Sequence, residues 1–325
     1  MIKYFLKAGK FLDYLQESHT RYLVYFCAYI YSKNNNFETN INYFFIVSCQ
    51  KNQERKKSLH LVYICTKIFS MNTINRTKIN RLVSNWPKGT IGTVSFFQSY
   101  DVGYDLLNYY KKANWVEAVG NRAYKLFGDD IDWYGAIYAF QKQLDLSIHP
   151  GGKTALQLLG YAHYLSEKLN NLYLFGYRGE KLPAWFRNYN WEININYSAN
   201  QLFPENLSIG YTDYSHKNFT IKIASAERAT LEMLYYFPKQ YSFDECYLVT
   251  ENLVTLRPKL CQELLEHCNS IKVKRLFLFM AENNEHSWFE DLEIDKIDLG
   301  KGKRALVENG SLINKYNITV PKKYC

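Results

Sequence analysis

The chain has 325 residues, 47% hydrophobic and 22% charged, with a formal net charge of +9. This length and apolar content allow one large or two medium hydrophobic cores. Seven cysteines, an odd number with no Cys-x-x-Cys pair, argue against a disulfide scaffold or a zinc ribbon and favour a reducing cytoplasm.

The first 70 residues differ in character from the rest of the chain. They hold ten basic and four acidic residues, one glycine and no proline, so they carry little turn chemistry. Apolar runs at 22–31 and 43–49 are too short to span a bilayer, and no signal-peptide core follows the start. We predict a poorly specified extension over residues 1–70, with Met71 as the natural start. Attachment to a membrane through this segment is the alternative.

Residues 71–128 predict a winged helix-turn-helix. A first helix is expected to end near Asn85, because the proline and glycine that follow both end helices. Thr93 is expected to cap a short second helix, and residues 100–103 form a turn before a third helix that ends near Ala113. Strands at 115–119 and 122–126 then form a hairpin with Gly120-Asn121 at its tip, where the wing would be.

The third helix is predicted to have one apolar and one polar face. At about 100° per residue, the apolar arc holds Val102, Leu106, Leu107, Tyr109, Tyr110 and Ala113. The other arc holds Lys111, Tyr104, Asn108, Lys112 and Asp105, which suits a major groove because Asn pairs with adenine edges and Lys reaches phosphate or guanine. The alternative is an ordinary amphipathic helix with a solvated face.

Charge supports the DNA-binding interpretation. Residues 71–128 hold eight basic and three acidic side chains, whereas residues 129–325 hold 22 basic and 24 acidic ones. A basic N-terminal part followed by a nearly neutral body indicates a DNA-binding domain with a second functional domain attached. The predicted DNA-binding residues are Thr93, Tyr104, Asp105, Asn108, Lys111, Lys112, Asn121, Arg122 and Lys125.

Residues 129–325 predict a mixed α/β domain, so the fold class is α+β: a winged helix-turn-helix followed by a larger mixed α/β body. Helices are expected at 132–141, 155–164, 256–268 and 272–285, with a further one opening at Ser225. Strands are expected at 171–175, 191–197, 207–211 and 219–224, with residues 182–186 as a loop between the first two. The C-terminal end of the chain is predicted to consist of loop and strand.

A glycine-rich segment, His149 to Thr154, precedes the second of these helices. Glycines before a helix could hold a phosphate at its positive end. A Walker A loop requires a further glycine where Ser147 stands, so ATP hydrolysis is not predicted. A tight loop with a helix cap is favoured over an anion site.

Several segments resemble the AbiEi-type antitoxins of type IV toxin–antitoxin systems. The likeness runs in unbroken order over about residues 71–325 and does not extend to residues 1–70. It is carried by TKINRLVSNWPKGTIGT at 77–93, WVEAVGNRAYKLFGDDIDWYGAIYAFQKQL at 115–144, HPGGKTALQLLGYAHYL at 149–165, LYLFG and LPAWF within 172–186, SAERATLEML at 225–234, KVKRLFLFMAE at 272–282 and DLGKGKRALV at 298–307.

The resemblance implies a transcriptional regulator of abortive phage defence. Its winged helix would bind inverted repeats at the promoter of its own operon, with copies paired on the DNA. Its body would counteract a nucleotidyltransferase-like toxin without a stable complex. On this sequence the implied DNA contacts are Tyr104, Asn108, Lys111, Lys112 and Arg122. Lys301, Lys303 and Arg304 form a basic loop that either assists DNA binding or antitoxicity or is a solvated turn.

The rival hypothesis is a metal-dependent nucleic-acid-processing enzyme. A run of carboxylates ahead of Lys301 and Lys303 could hold Mg²⁺: Glu290, Asp291, Glu293, Asp295 and Asp298. Such spacing on a loop is commonplace and fixes no geometry. Cys261 and Cys268 lack a fourth ligand beside His267 and are expected to be buried apolar side chains. No catalytic residue, metal or cofactor is therefore predicted.

Overall fold

The computed structural model describes residues 23–30, 41–48, 78–161, 169–205 and 207–325. The chain divides into two compact units, Met1–Asn80 and Arg81–Cys325, which are described separately.

The first unit contains two paired strands. β1 (Leu23–Ile30) and β2 (Ile41–Ser48) run antiparallel, and Leu23 pairs with Ser48 at one end of the register. They fall on the two apolar runs of the N-terminal segment. The start predicted at Met71 lies outside the described residues.

The second unit opens with the elements predicted for residues 71–128, in the predicted order. A helix described over 78–84 (α1) leads to a short strand that the sequence did not indicate. This strand pairs with the second strand of the hairpin, giving an antiparallel sheet in the order β3-β5-β4. The elements are β3 (Gly92–Thr93), α2 (Val94–Ser99), α3 (Tyr104–Lys112), β4 (Val116–Gly120) and β5 (Ala123–Leu126).

The first half of the body surrounds a three-stranded sheet in the order β6-β7-β8, in which β7 and β8 are parallel. A separate hairpin, β9-β10, follows it. The elements are α4 (Trp133–Gln143), β6 (His149–Pro150), α5 (Gly152–Leu158), β7 (Asn171–Tyr177), α6 (Ala184–Asn188), β8 (Asn194–Asn200), β9 (Tyr211–His216) and β10 (Phe219–Ala224).

The second half is a group of four helices closed by a small sheet. The helices are α7 (Ala226–Tyr236), α8 (Phe243–Glu251), α9 (Pro258–His267) and α10 (Ile271–Asn283), and the strands β11 (Arg304–Ala305), β12 (Ser311–Ile313) and β13 (Ile318–Val320). Residues 273–281 of α10 are all buried, so this helix is enclosed on every side. The fold is thus the predicted mixture of helices and sheets, with an N-terminal part before a larger body.

Two hydrophobic cores organise the second unit. One lies among α7 to α10 and the closing sheet. The other lies around α4, β7, α6 and β10, and it includes Ile91 and Ala123 from the N-terminal elements. The core is therefore continuous across residue 128, where composition placed a domain boundary.

Local predictions in the body were less accurate than those in the first 50 residues of the second unit. Residues 207–210 are not a strand, because β9 begins only at Tyr211. Residues 184–188 are a short helix after Pro183 rather than a loop. The strand predicted at 191–197 lies at 194–200. The described part of the helix predicted at 155–164 is α5, Gly152–Leu158, and residues 162–164 lie outside the described residues. Ser225 makes no side-chain cap to α7.

Candidate nucleic-acid interface

Helix α3 is fixed by its buried side while its other side faces solvent. Leu107 and Tyr110 are buried, and Val102 is buried just before the helix begins. Asp101 takes a left-handed conformation, φ 56°, which turns the chain from α2 into α3. Acidic Asp105 in the first turn and two lysines in the last complement the helix dipole.

The predicted polar side of α3 is a continuous surface, called here the α3 strip: Tyr104, Asp105, Asn108, Lys111 and Lys112. Four of its members are exposed, and the Tyr104 side chain is 76% exposed. Asn108 is half-buried at its middle. Tyr109 and Ala113, which the 100° spacing assigned to the apolar arc, are exposed, Tyr109 by 60%, so that part of the prediction was wrong. Tyr109 lies at the edge of the arc, and Ala113 is the C-cap of the helix.

The hairpin tip carries Asn121 and Arg122, and both are exposed. Gly120 belongs to β4 and pairs with Ala123, so the loop consists of these two residues rather than Gly120-Asn121. Arg122 has φ 66°, a left-handed conformation that costs an ordinary residue energy. A long basic side chain is therefore held at the tip in a conformation that a glycine would adopt at less cost.

Two of the predicted DNA-binding residues are engaged within the protein. Thr93 is 3% exposed, and its hydroxyl accepts from the Phe96 N–H and donates to Gln143 Oε1. This confirms its capping role and leaves it outside the exposed surface. The Lys125 ammonium donates to the Asp129 carbonyl at 3.0 Å and lies 3.5 Å from Glu117 Oε2, so its charge is already paired.

Tyr124 is a residue of this surface that the sequence did not single out. The Lys111 ammonium lies 6.0 Å from its ring centroid, and Phe97 packs edge-on beneath it at 5.4 Å. Burial, together with nearby Tyr104, raises the pKa of its phenol. Tyr124 therefore connects the α3 strip to the hairpin. The alternation along β5, with Ala123 inward and Tyr124 outward, was the signal available.

Helix α4 holds these elements against the body. Gln143 accepts from the Thr93 N–H at 2.8 Å and donates to the Ile91 carbonyl at 2.7 Å. Gly135 passes so close to Gly89 that an added Cβ would lie 1.9 Å from the Gly89 carbonyl oxygen. Only glycine fits at this position. Helix α4 thus holds these N-terminal elements directly against the body.

The basic loop of the body, residues 298–304, lies at the surface. Lys301, Lys303 and Arg304 are all exposed. Arg304 begins β11, which pairs in parallel with β13 through Ile318. The exposure of the loop is compatible with both interpretations of its sequence, a functional contact and a solvated turn.

The features that favoured an enzyme do not assemble. Glu293 pairs with Lys296 at 2.6 Å, and the Asp298 carboxylate accepts from the Gly300 N–H at 2.8 Å. In the described part of the chain no group of three or more acidic, histidine or cysteine side chains is placed to hold a metal. Cys261 and Cys268 are buried as predicted, and burial raises the pKa of the Cys268 thiol to about 11.

At the glycine-rich segment before α5, a carboxylate of the protein itself lies where a bound anion was considered. Glu232 Oε2 accepts from the Gly152 N–H at 3.3 Å, while Oε1 meets His149 Nε2 at 3.0 Å and Arg228 Nε at 2.9 Å. Arg228 lies over the rings of Phe203 and Tyr211. This buried ion cluster (His149, Arg228 and Glu232) leaves no room for a phosphate and supports the predicted tight loop.

Comparison with known proteins agrees with the resemblance. Residues 75–167 match a model for the N-terminal domain of AbiEi antitoxin transcriptional regulators. Residues 169–321 match a model described as a transcriptional regulator, AbiEi antitoxin, of type IV toxin–antitoxin systems. The fold and these matches define a transcriptional regulator. More specifically, the chain belongs to the AbiEi antitoxin family.

One solved structure is similar at low identity. It is the crystal structure of the RV2827C protein from Mycobacterium tuberculosis, with 10% identity and a TM-score of 0.47, covering 76% of this chain and 90% of that one. The chain has no match among the curated proteins. Within the described ranges, none of the helices combines the length and apolarity needed to cross a bilayer.

Proposed function

We propose that this protein is a DNA-binding antitoxin that represses its own toxin–antitoxin operon. The observation that carries this proposal is that Lys111, Lys112 and Arg122 are exposed and form no ion pair with any described residue. Free cations on a helix and a hairpin tip are the groups that a phosphate backbone binds. The order helix, strand, helix, helix, strand, strand supports a winged helix, with α3 as recognition helix and the β4–β5 tip as wing.

Five residues of α3 and the hairpin tip have chemical roles in this proposal. Asn108, in the middle of the α3 strip, pairs with an adenine edge, and Asp105 accepts from cytosine. Lys111 and Lys112 neutralise phosphates, which fixes position but reads no sequence. Arg122 enters the minor groove or contacts the backbone beside it.

The operator is proposed to be an inverted repeat in the promoter of the protein's own operon, bound by paired copies. A two-fold symmetric site matches two identical recognition helices, and the half-site spacing then follows from the DNA repeat. This part of the proposal rests on membership of the family rather than on a contact surface.

The body, residues 129–325, is proposed to counteract a nucleotidyltransferase-like toxin in the cytoplasm without forming a stable complex. Family membership supports an antitoxin role. The role needs no chemical step by this chain and no cofactor. It joins the protein to abortive defence against phage.

The first experiment measures binding to the DNA upstream of the gene in a band-shift assay, with a shuffled duplex beside it. Asn108→Ala is expected to lower the preference for the true operator by about 1–3 kcal/mol. Lys112→Ala should weaken both duplexes about equally and reduce the salt slope by about one. Lys259→Ala, an exposed lysine on α9, is the matched control and should change neither.

The placement of the reading surface is wrong if Asn108→Ala and Arg122→Ala both leave the operator shift unchanged. The enzyme hypothesis is tested in the same tubes, because a nuclease would cleave the duplex when Mg²⁺ is added and Asp298→Ala would abolish the cleavage. The regulator proposal predicts intact DNA in every lane.

The proposed antitoxin activity is tested by growth rescue when the protein and the toxin are expressed together. A variant carrying Asn108→Ala and Arg122→Ala is expected to lose repression and to keep its ability to rescue growth. Loss of both activities together, with the fold intact by circular dichroism, would contradict the assignment of antitoxicity to the body.

A further inference from the structure

A cleft opens in the body at the carboxyl ends of the parallel strands β7 and β8. The last pair of their register is Tyr177 with Asn200, and a cleft of about 470 Å³ lies just beyond it. Ligands of α/β proteins bind preferentially at this edge of a parallel sheet, in clefts of about 300–1,000 Å³. The lining residues are Arg178, Ser198–Leu202, Tyr235, Asn269 and Ser270. The position and size of the cleft are therefore those of a small-molecule site.

Hydrogen bonds within the protein hold the lining of this cleft in place. The Asn269 N–H donates to the Leu202 carbonyl, and its side-chain amide donates to the Gln201 carbonyl, both at 2.9 Å. Arg178 Nη1 donates to Gln201 Oε1 at 3.2 Å. The Asn200 side chain accepts from the Leu202 N–H at 2.9 Å. The end of β8 is thus tied to the start of α10, and a site formed in advance loses little free energy to ordering when it binds.

Two amide groups of the lining are available to a ligand. Within the described part of the chain, neither the side-chain NH₂ group of Gln201 nor the side-chain oxygen of Asn269 has a protein partner. One is a donor and the other an acceptor. A hydroxyl group can both donate and accept, so a ligand with several hydroxyls satisfies both.

Arg178 gives the cleft a positive charge that is not neutralised by the fold. Its side chain is exposed, and the ion pairs among the described residues do not include it. Of the described residues that line the cleft, none is acidic. A guanidinium binds a phosphate through two parallel N–H groups, and Nε and Nη2 of Arg178 make no hydrogen bond to the described residues. The cleft therefore favours a ligand with an anionic group.

Tyr235 of α7 adds an aromatic ring to this polar lining. The residue is half-buried, and the Lys272 ammonium donates to its carbonyl at 3.0 Å and lies 5.8 Å from its ring centroid. Leu202, which is 2% exposed, adds a buried apolar side chain. The C–H groups of a sugar ring are apolar and pack against an aromatic ring of this kind.

We propose that this cleft binds a phosphorylated sugar, alone or as the sugar phosphate of a nucleotide. Arg178 binds the phosphate, Gln201 and Asn269 bind hydroxyls, and Tyr235 packs against the ring. A nucleic-acid chain requires a series of cations along its backbone, whereas the lining offers a single one, so the ligand is a small molecule. This inference concerns the body alone and depends neither on operator recognition nor on the antitoxin role.

The test measures binding to the full chain by isothermal titration calorimetry. The probes are ribose 5-phosphate, glucose 6-phosphate and AMP, with ribose, glucose, adenosine and inorganic phosphate as references. At least one phosphorylated probe should bind with a Kd below about 1 mM and about tenfold tighter than its unphosphorylated form or inorganic phosphate. The proposal is overturned if none of the three binds at this level, or if inorganic phosphate binds as tightly.

The same titrations distinguish the two sources of the sugar phosphate. If AMP binds tighter than ribose 5-phosphate, the base contributes and the ligand is a nucleotide. If the two bind equally, or if AMP binds more weakly, the ligand is the sugar phosphate itself.

The first variant removes the charge of the cleft. Arg178→Gln should weaken the phosphorylated probe about tenfold or more and leave its unphosphorylated form unaffected, because the charged contact alone is lost. Arg187→Gln, which changes an exposed arginine of α6, is the matched control and should keep full affinity. Unchanged affinity in Arg178→Gln, or equal losses in both variants, overturns the proposal.

The second variant fills the cleft without changing its charge. Ala199 is exposed and lines the cleft, so the larger side chain of Ala199→Phe occupies the space of the ligand and should weaken every probe more than tenfold. Ala305→Phe, at an exposed position of β11, is the control, and circular dichroism checks that both variants fold. A folded Ala199→Phe variant with full affinity would place the ligand elsewhere and overturn the proposal.

Discussion

The α3 strip and the buried ion cluster use the same kinds of charged side chain for opposite purposes. In the cluster, the Arg228 charge is paired with Glu232 at 2.9 Å, and both side chains are almost wholly buried. In the strip and the wing, Lys111, Lys112 and Arg122 remain in solvent with no carboxylate partner among the described residues. The comparison teaches that a count of charges does not locate an interface. The two regions differ instead in whether each charge is already paired within the fold.

The largest effect is expected where the cluster is broken. Glu232→Gln leaves the guanidinium of Arg228 buried without an anion, which should lower the free energy of unfolding by about 3–5 kcal/mol. Urea denaturation at pH 7 measures it. Asp244→Asn is the matched control, because its pair with Lys323 is exposed to water and contributes little. Similar small losses from both variants would show that burial does not separate the two kinds of pair.

A smaller effect is expected from acid. Burial alone would raise the pKa of Glu232, but His149 and Arg228 bring it below its ordinary value of 4.5. A lowered pKa in the folded state means that the stabilisation is full above 4.5 and is lost as pH falls through the folded value. Glu227, bound by Arg257, acts in the same direction.

The free energy of unfolding, measured in urea from pH 7 to pH 3, should therefore fall below about pH 4.5. The Glu232→Gln variant has lost one of these titrating groups, so its decline in acid should be shallower. Parallel curves for the two proteins would show that Glu232 does not contribute to acid sensitivity.

The smallest effect on stability is expected at the wing, where function and stability oppose each other. Arg122→Gly relieves the left-handed conformation at φ 66°, worth about 1–2 kcal/mol. Glycine in turn lowers the free energy of unfolding by about 0.5–1 kcal/mol, because it makes the unfolded chain more flexible. We expect the free energy of unfolding to be unchanged or raised by up to about 1.5 kcal/mol, while the salt slope for operator DNA falls by about one. A clear loss of stability would place Arg122 among the structural residues.

The sequence predicted the elements of residues 78–126 better than the body because local signals determine them. Thr93 caps α2 through its own hydroxyl, and a proline and glycines end the neighbouring elements, so those boundaries could be read from a few adjacent residues. The α3 strip followed from periodicity, although Tyr109 and Ala113, both assigned to the apolar arc, are exposed.

The rest depends on residues distant in the chain. Glu232 meets His149 across 83 positions, and no pattern near either residue indicates the other. Likewise Arg275 appeared as one more polar residue of a helix, although it fixes a loop more than 20 residues further on. The basic loop could be located from the sequence, whereas its contact with Arg275 could not. Residues 184–186 and 207–210 were misassigned because tertiary packing overrides weak local propensity.

The contact between Gly135 and Gly89 bears on how the two proposed activities communicate. Backbone lies against backbone there, with no space for even a methyl group, so the segment that leads into α2 is held directly against α4. Under the proposed function, a toxin that contacts the body changes operator affinity only by favouring a conformation in which this contact is altered. We therefore expect neutralisation and repression to proceed independently in the same molecule.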